Sequence, residues 1–126
     1  MVTDKRLAIA AALISLVLGG GCSTKKAISF ERDVKPVLQK YCLACHSASG
    51  RGYAESGFSV ESYSDVMKGT KFGPVIVPGS SVSSTLQRLV EHKAHPSLNM
   101  PEGGVLLSKE QVEIIRLWID KGAKND

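Results

Sequence analysis

Apolar positions and capping residues mark four helical stretches in this chain. Val34, Val37, Leu38 and Tyr41 fall at i, i+3, i+4 and i+7, one stripe that leads straight into Cys42. Asp33 is the candidate N-cap, and Pro36 lies in the first turn, where its missing N–H costs nothing. A short helix over Tyr63 to Lys68 is expected from Ser62 with Asp65 as a capping box and Gly69 as the stop. Ser83 or Ser84 opens another through Thr85 to Val90. The clearest signal is Ser108-Lys109-Glu110-Gln111, a capping box before Val112 to Lys121, with Gly122 as the stop. In that helix Val112, Ile115 and Ile119 share a face that Ile114 and Trp118 widen, and Trp118 reads as core packing.

Between these stretches the pattern breaks. Ser47 to Gly52 reads as a flexible loop and Phe58-Ser59-Val60 as a brief extended piece. Val75-Ile76-Val77, bracketed by Gly73-Pro74 and Pro78-Gly79, reads as an irregular apolar wall. From His92 to Leu106, Pro96, Pro101, Gly103 and Gly104 exclude a continuous helix. No strand pattern of any length competes, so the expected fold class is all-α with long loops.

The N-terminus follows different rules. Lys5-Arg6 precedes an apolar run, Leu7 to Leu18, broken only by Ser15. The run is shorter than the ~20 residues a spanning helix needs, and its layout is that of an export signal over residues 1–21. Gly19-Gly20-Gly21-Cys22 resembles the lipobox of bacterial lipoproteins, with Gly19 where leucine is usual and Leu18 one place earlier. The resemblance implies lipidation of Cys22; the polar composition then reads as a tether over residues 22–29, with a domain over 30–126. The alternative is an ordinary cleaved signal with a spare thiol.

Composition narrows the function classes. The chain of 126 residues carries 16 Lys and Arg against 12 Asp and Glu, and losing Lys5, Arg6 and Asp4 with the signal trims that excess by one. So mild and scattered a charge is no nucleic-acid footprint. Three Phe, three Tyr and one Trp are few large side chains for a small core, which favours help from a cofactor, metal or disulfide. No nucleophile motif or paired-carboxylate spacing marks a catalytic set.

The candidate chemistry is Cys42-Leu43-Ala44-Cys45-His46, the attachment pattern of haem c. Two thiols about one turn apart can each add across a haem vinyl group, and the adjacent imidazole is carried under the iron as its proximal ligand. Three other readings use the same residues. A thioredoxin-like pair needs a βαβ frame that is not visible. A zinc site from Cys42, Cys45, His92 and His95 has its pairs much further apart than a finger's ~12–15 residues and a tighter His spacing than usual. A permanent Cys42–Cys45 disulfide would be strained.

For the sixth iron position Met100, His95 and His92 compete. Met100 lies in Asn99-Met100-Pro101, inside the non-helical loop, where a thioether can be laid across the far face of a haem. Met67, near the end of a short helix, reads as core filler. Met100 is preferred, because Met/His ligation is the pattern of cytochromes c and histidine is the commoner bystander.

An N-terminal helix ending in C-x-x-C-H, a Met-Pro loop far downstream and a last helix with an aromatic resemble the plan of class I cytochromes c. More narrowly, Phe30 to Leu38, Cys42 to His46, Phe58 to Gly69, Gly73 to Ser80 and Asn99 to Ala123 resemble the planctomycete-type cytochrome c domain. Glu102 stands where that family commonly has a second proline. The resemblance implies a small helical domain wrapped around one covalent haem c, with His46 and Met100 as axial ligands. The expected function is one-electron transfer on an exported, lipid-anchored protein. The alternatives are a haem peroxidase or gas sensor with an open distal site, and a zinc-stabilised binding module. The expected partner is an unidentified redox protein. Lys25, Lys26, Lys68, Lys71, Lys93, Lys109, Lys121 and Lys124 form either its docking surface or merely a solvated basic one.

Overall fold

The computed structural model describes residues 27–126. The expected export signal, Cys22 and most of the expected tether lie outside the described residues. A π-helical turn, Phe30–Val34, runs into α1, Lys35–Tyr41; then follow α2, Arg51–Ser56; α3, Tyr63–Lys68; α4, Thr85–Val90; and α5, Lys109–Asp120. Among the described residues there is no strand, only an isolated bridge between Thr70 and Gly73.

The first helical stretch begins earlier than expected. Ser29, not Asp33, is its N-cap: the Ser29 hydroxyl accepts from Arg32 N, and Ser29 N donates to Asp33 Oδ2 at 2.9 Å. This is a reciprocal cap one residue wider than the usual box, because the first turn is π-wound and carries an extra residue. Val34, Val37 and Leu38 bury the expected stripe, and Tyr41 is half-buried against the same core.

Three helices lie where expected, α4 with Ser84 at its N-cap among them, and one, α2, was not expected. α3 is capped by Ser62 accepting from Asp65 N, and α5 by a full box between Ser108 and Gln111. α2 occupies part of the expected flexible loop. It buries none of its residues and is held by backbone bonds instead, Tyr53 N to Cys45 O at 3.0 Å and Ala54 N to Gly50 O at 3.1 Å. Gly57 closes it at φ 72°, a left-handed conformation open to glycine at no steric cost.

The core is tied by aromatics from three elements. Phe30 packs against Tyr63 and Trp118 with ring centroids 5.2 and 5.3 Å apart. The polar ends of the two larger rings are satisfied by the segment after α5: Tyr63 OH donates to Ala123 O and Trp118 Nε1 to Lys124 O, each at 2.8 Å. Trp118 is therefore packed and bonded in the core, as expected. Gly79 N donates to Ile119 O at 2.7 Å and Ser81 N to Asp120 Oδ1 at 2.8 Å, fastening the turn after Val77 to the end of α5. No helix among the described residues is long and apolar enough to cross a membrane.

Ile115 is fully buried in this core. Ile115→Ala is expected to destabilise the protein by about 2–5 kcal/mol, the range for deleting a buried branched side chain. Lys109→Ala, on the exposed side of the same helix, should stay within about 0.5 kcal/mol. Denaturant unfolding of both variants checks the contrast.

Candidate functional site

α1 delivers the cysteine motif. Its stripe anchors the helix, and the unpaired carbonyls at its C-terminal end wind the next residues into turns. Leu38 O accepts from Cys42 N at 2.8 Å and Leu43 N at 3.2 Å, and Cys42 O accepts from Cys45 N at 3.1 Å and His46 N at 2.8 Å. Cys42 and Cys45 are free thiols. Burial, with the neighbouring Cys45 adding to it, pushes the Cys42 thiol up to about 11, so it is neutral at physiological pH. His46 Nδ1 lies 3.1 Å from Phe58 O; a carbonyl can only accept, so Nδ1 donates here, and Nε2 is the ring nitrogen left for a ligand.

These residues open onto a cavity of about 610 Å³, within the range of about 300–1,000 Å³ typical of cofactor pockets. Cys42, Cys45, His46 and Met100 all line it. Its apolar wall includes Phe58, Val75, Leu86, Leu89, Val90 and Val105. The expected wall segment contributes one residue: Val75 faces the cavity, Ile76 is buried elsewhere in the core, and Val77 is exposed.

The competing histidines stand apart from the cavity lining. His95 is exposed and bonded through Nδ1 to Ser97 Oγ at 2.8 Å. His92 is half-buried, with Nε2 3.1 Å from Met100 O. Among the described residues no group of three or more His, Cys, Asp and Glu side chains converges as a metal cluster would, so the four residues of the zinc alternative are not gathered.

Several contributors were given no role at the site from the sequence. Gly50 and Gly52 allow the backbone to press against the motif: a Cβ on Gly50 would lie 2.2 Å from Cys45 O, and one on Gly52 would lie 2.8 Å from His46 Cε1. Arg51, just after the motif, and Glu102, just after Met-Pro, form an ion pair while both line the cavity. Glu102, in place of the second proline, thus meets α2 through an exposed ion pair at the edge of the cavity.

The donor set fits a covalent haem: two free thiols, an imidazole with its outer nitrogen fixed as donor, and a thioether from a distant segment around one largely apolar cavity. The chain belongs to the planctomycete cytochrome c family, whose model matches residues 42–104. Membership implies covalent haem c and a redox role. Among solved structures, hydrazine synthase of Kuenenia stuttgartiensis is similar at a TM-score of 0.54 with 20% identity, over 79% of this chain and 16% of that one. That likeness is one of fold and covers a minor part of the larger chain. Among curated proteins, none matches the sequence.

The contact at Gly50 is with backbone, which cannot rotate away. Gly50→Ala is expected to cost at least the 1–3 kcal/mol typical of overpacking and to lower the yield of haem-loaded protein, whereas Ser49→Ala, exposed next door, should do neither. Denaturant midpoints and the haem-to-protein absorbance ratio check both.

Proposed function

We propose that the protein is a one-electron carrier holding a single haem c through thioethers from Cys42 and Cys45, with His46 and Met100 as the axial ligands. The observation that carries this reading is the meeting of Met100 with the cysteine motif at one cavity, although the two are far apart in the chain. When bound, haem iron supplies a one-electron couple. The chain's own residues do the rest. Phe58 O holds the His46 ring through Nδ1, which fixes its orientation. Met100 would offer a thioether from the other stretch, so that with His46 the chain would hold the iron through two ligands and keep small molecules off. Phe58, Val75, Leu86 and Val90 exclude water from the cavity wall, which limits solvent reorganisation when charge changes. A carrier needs both positions closed, whereas an enzyme or gas sensor needs one open.

In this proposal the domain is exported and anchored by lipid on Cys22, with residues 22–29 as tether and 30–126 as the cytochrome domain. Two acyl chains anchor stably where one does not. The partner is a redox protein with an acidic surface: Lys68, Lys71, Lys109, Lys121 and Lys124 are exposed, and transient redox encounters are steered by charge. Electron exchange should slow as ionic strength rises, and rates insensitive to salt would remove the docking surface.

Met100→Ala is expected to lose the weak far-red ferric band of sulfur-to-iron ligation, to lower the reduction potential and to open the ferrous iron to carbon monoxide. Unaltered protein that already takes up carbon monoxide readily would favour an enzyme or sensor instead. The double variant Cys42→Ala, Cys45→Ala should release any haem into acidified organic solvent, while the unaltered protein retains it.

Cys22→Ser should release a soluble, haem-loaded domain. Fractionation after a high-salt wash checks this, and retention of the variant in membranes would contradict the anchor.

A further inference from the structure

On the reading of Met100 as an axial ligand, we infer that His92 is the positioning residue that holds Met100 at the cavity. α4 ends in a double turn: His92 N donates to Leu89 O at 3.1 Å, and Lys93 N donates to Arg88 O at 2.9 Å. This is the Schellman pattern, whose left-handed residue is by default glycine. Here that residue is His92, at φ 55°, a conformation that strains the backbone of an L residue even though histidine tolerates it better than most. Such strain persists where the surroundings impose it, and it gathers at sites that use it.

The side chain shows what the strain obtains. His92 Nε2–H donates to Met100 O at 3.1 Å, and Met100 N donates to Leu89 O at 3.1 Å. Both backbone polar groups of Met100 are thus taken by the last turn of α4, one of them through the imidazole. Leu89 itself lines the cavity, so the turn that grips Met100 is part of the wall that Met100 faces. The rest of the loop is held mainly to itself, by Ala94 N to Asn99 Oδ1 at 3.0 Å and Leu98 N to His95 O at 2.8 Å; the Arg51–Glu102 pair is an exposed ion pair, of the kind that contributes little. A glycine at position 92 would suit the turn better and could not reach Met100 O. The histidine therefore serves the loop and not the helix end.

The test is His92→Gly in the haem-loaded full chain, because it separates the two roles. A residue that only terminated α4 would be replaced by glycine with unchanged or higher stability and an unchanged iron site. The positioning role predicts instead a weakened far-red ferric band, a lowered potential and carbon monoxide affinity of the ferrous protein raised about two- to tenfold, the factor expected for one net hydrogen bond, with the denaturant midpoint unchanged or raised. If His92→Gly keeps the band, the potential and the carbon monoxide affinity of the unaltered protein while Met100→Ala loses the band, the clamp is wrong and the Met100 ligand stands. If Met100→Ala keeps the band, or His95→Ala abolishes it, the ligand assignment itself is wrong.

Discussion

The unpaired carbonyls at helix C-termini decide where this domain puts its chemistry. Leu38 O, at the end of α1, gathers the N–H groups of Cys42 and Leu43; Leu89 O, at the end of α4, gathers those of His92 and Met100. A helix end must satisfy such carbonyls with something. In both places the chain uses the segment that carries candidate ligands, so each segment inherits the position of a helix whose other face is buried. Val34, Val37 and Leu38 hold the first helix in the core, and Leu86 and Val90 hold the second. Displacing the first stripe would move cavity-lining side chains without touching the cavity itself, whereas the second stripe is part of the cavity wall.

The domain divides its apolar material between two tasks. Phe30, Tyr63 and Trp118, with Ile115 and Ile119, make a compact cluster that joins the π turn, α3 and α5. Phe58, Val75, Leu86 and Val90 belong to the same core yet also face the cavity. With few large side chains, a domain of this size has little to spare for a second, independent core. Sharing residues between core and cavity makes stability and site geometry parts of one packing problem. The motif itself is packed as closely where Gly50 and Gly52 approach Cys45 and His46, and an added methyl would press on it.

Much of this organisation is legible in local sequence because it rests on local chemistry. Ser62 with Asp65, and Ser108 with Gln111, mark the starts of helices that Gly69 and Gly122 end, and the stripe from Val34 to Tyr41 points to Cys42. The elements that escape such reading are those made by tertiary bonds. α2 has no buried face and leans on Cys45 O; the first turn is π-wound, so Ser29 takes the cap that helical spacing assigns to Asp33. Candidate ligands sort in the same way. The cysteine motif announces itself by spacing, whereas the choice among Met100, His95 and His92 depends on how a proline- and glycine-rich loop closes. In the fold that loop brings Met100 to the cavity wall, turns His95 to solvent and sets the His92 imidazole against the Met100 backbone. The partner has no local signature, since exposed lysines serve docking and solubility alike.

The central claim is that one haem face is covered by the thioether of Met100. The most direct measurement is a methyl NMR spectrum of the reduced, haem-loaded protein with its methionine methyl groups isotopically labelled, because a methyl lying over a haem face is shielded strongly by the ring current. The account predicts one methionine methyl far upfield of the ordinary range, absent in Met100→Ala, with the Met67 methyl near its usual position. A spectrum with every methionine methyl in the ordinary range, or with the upfield methyl belonging to Met67, would contradict it.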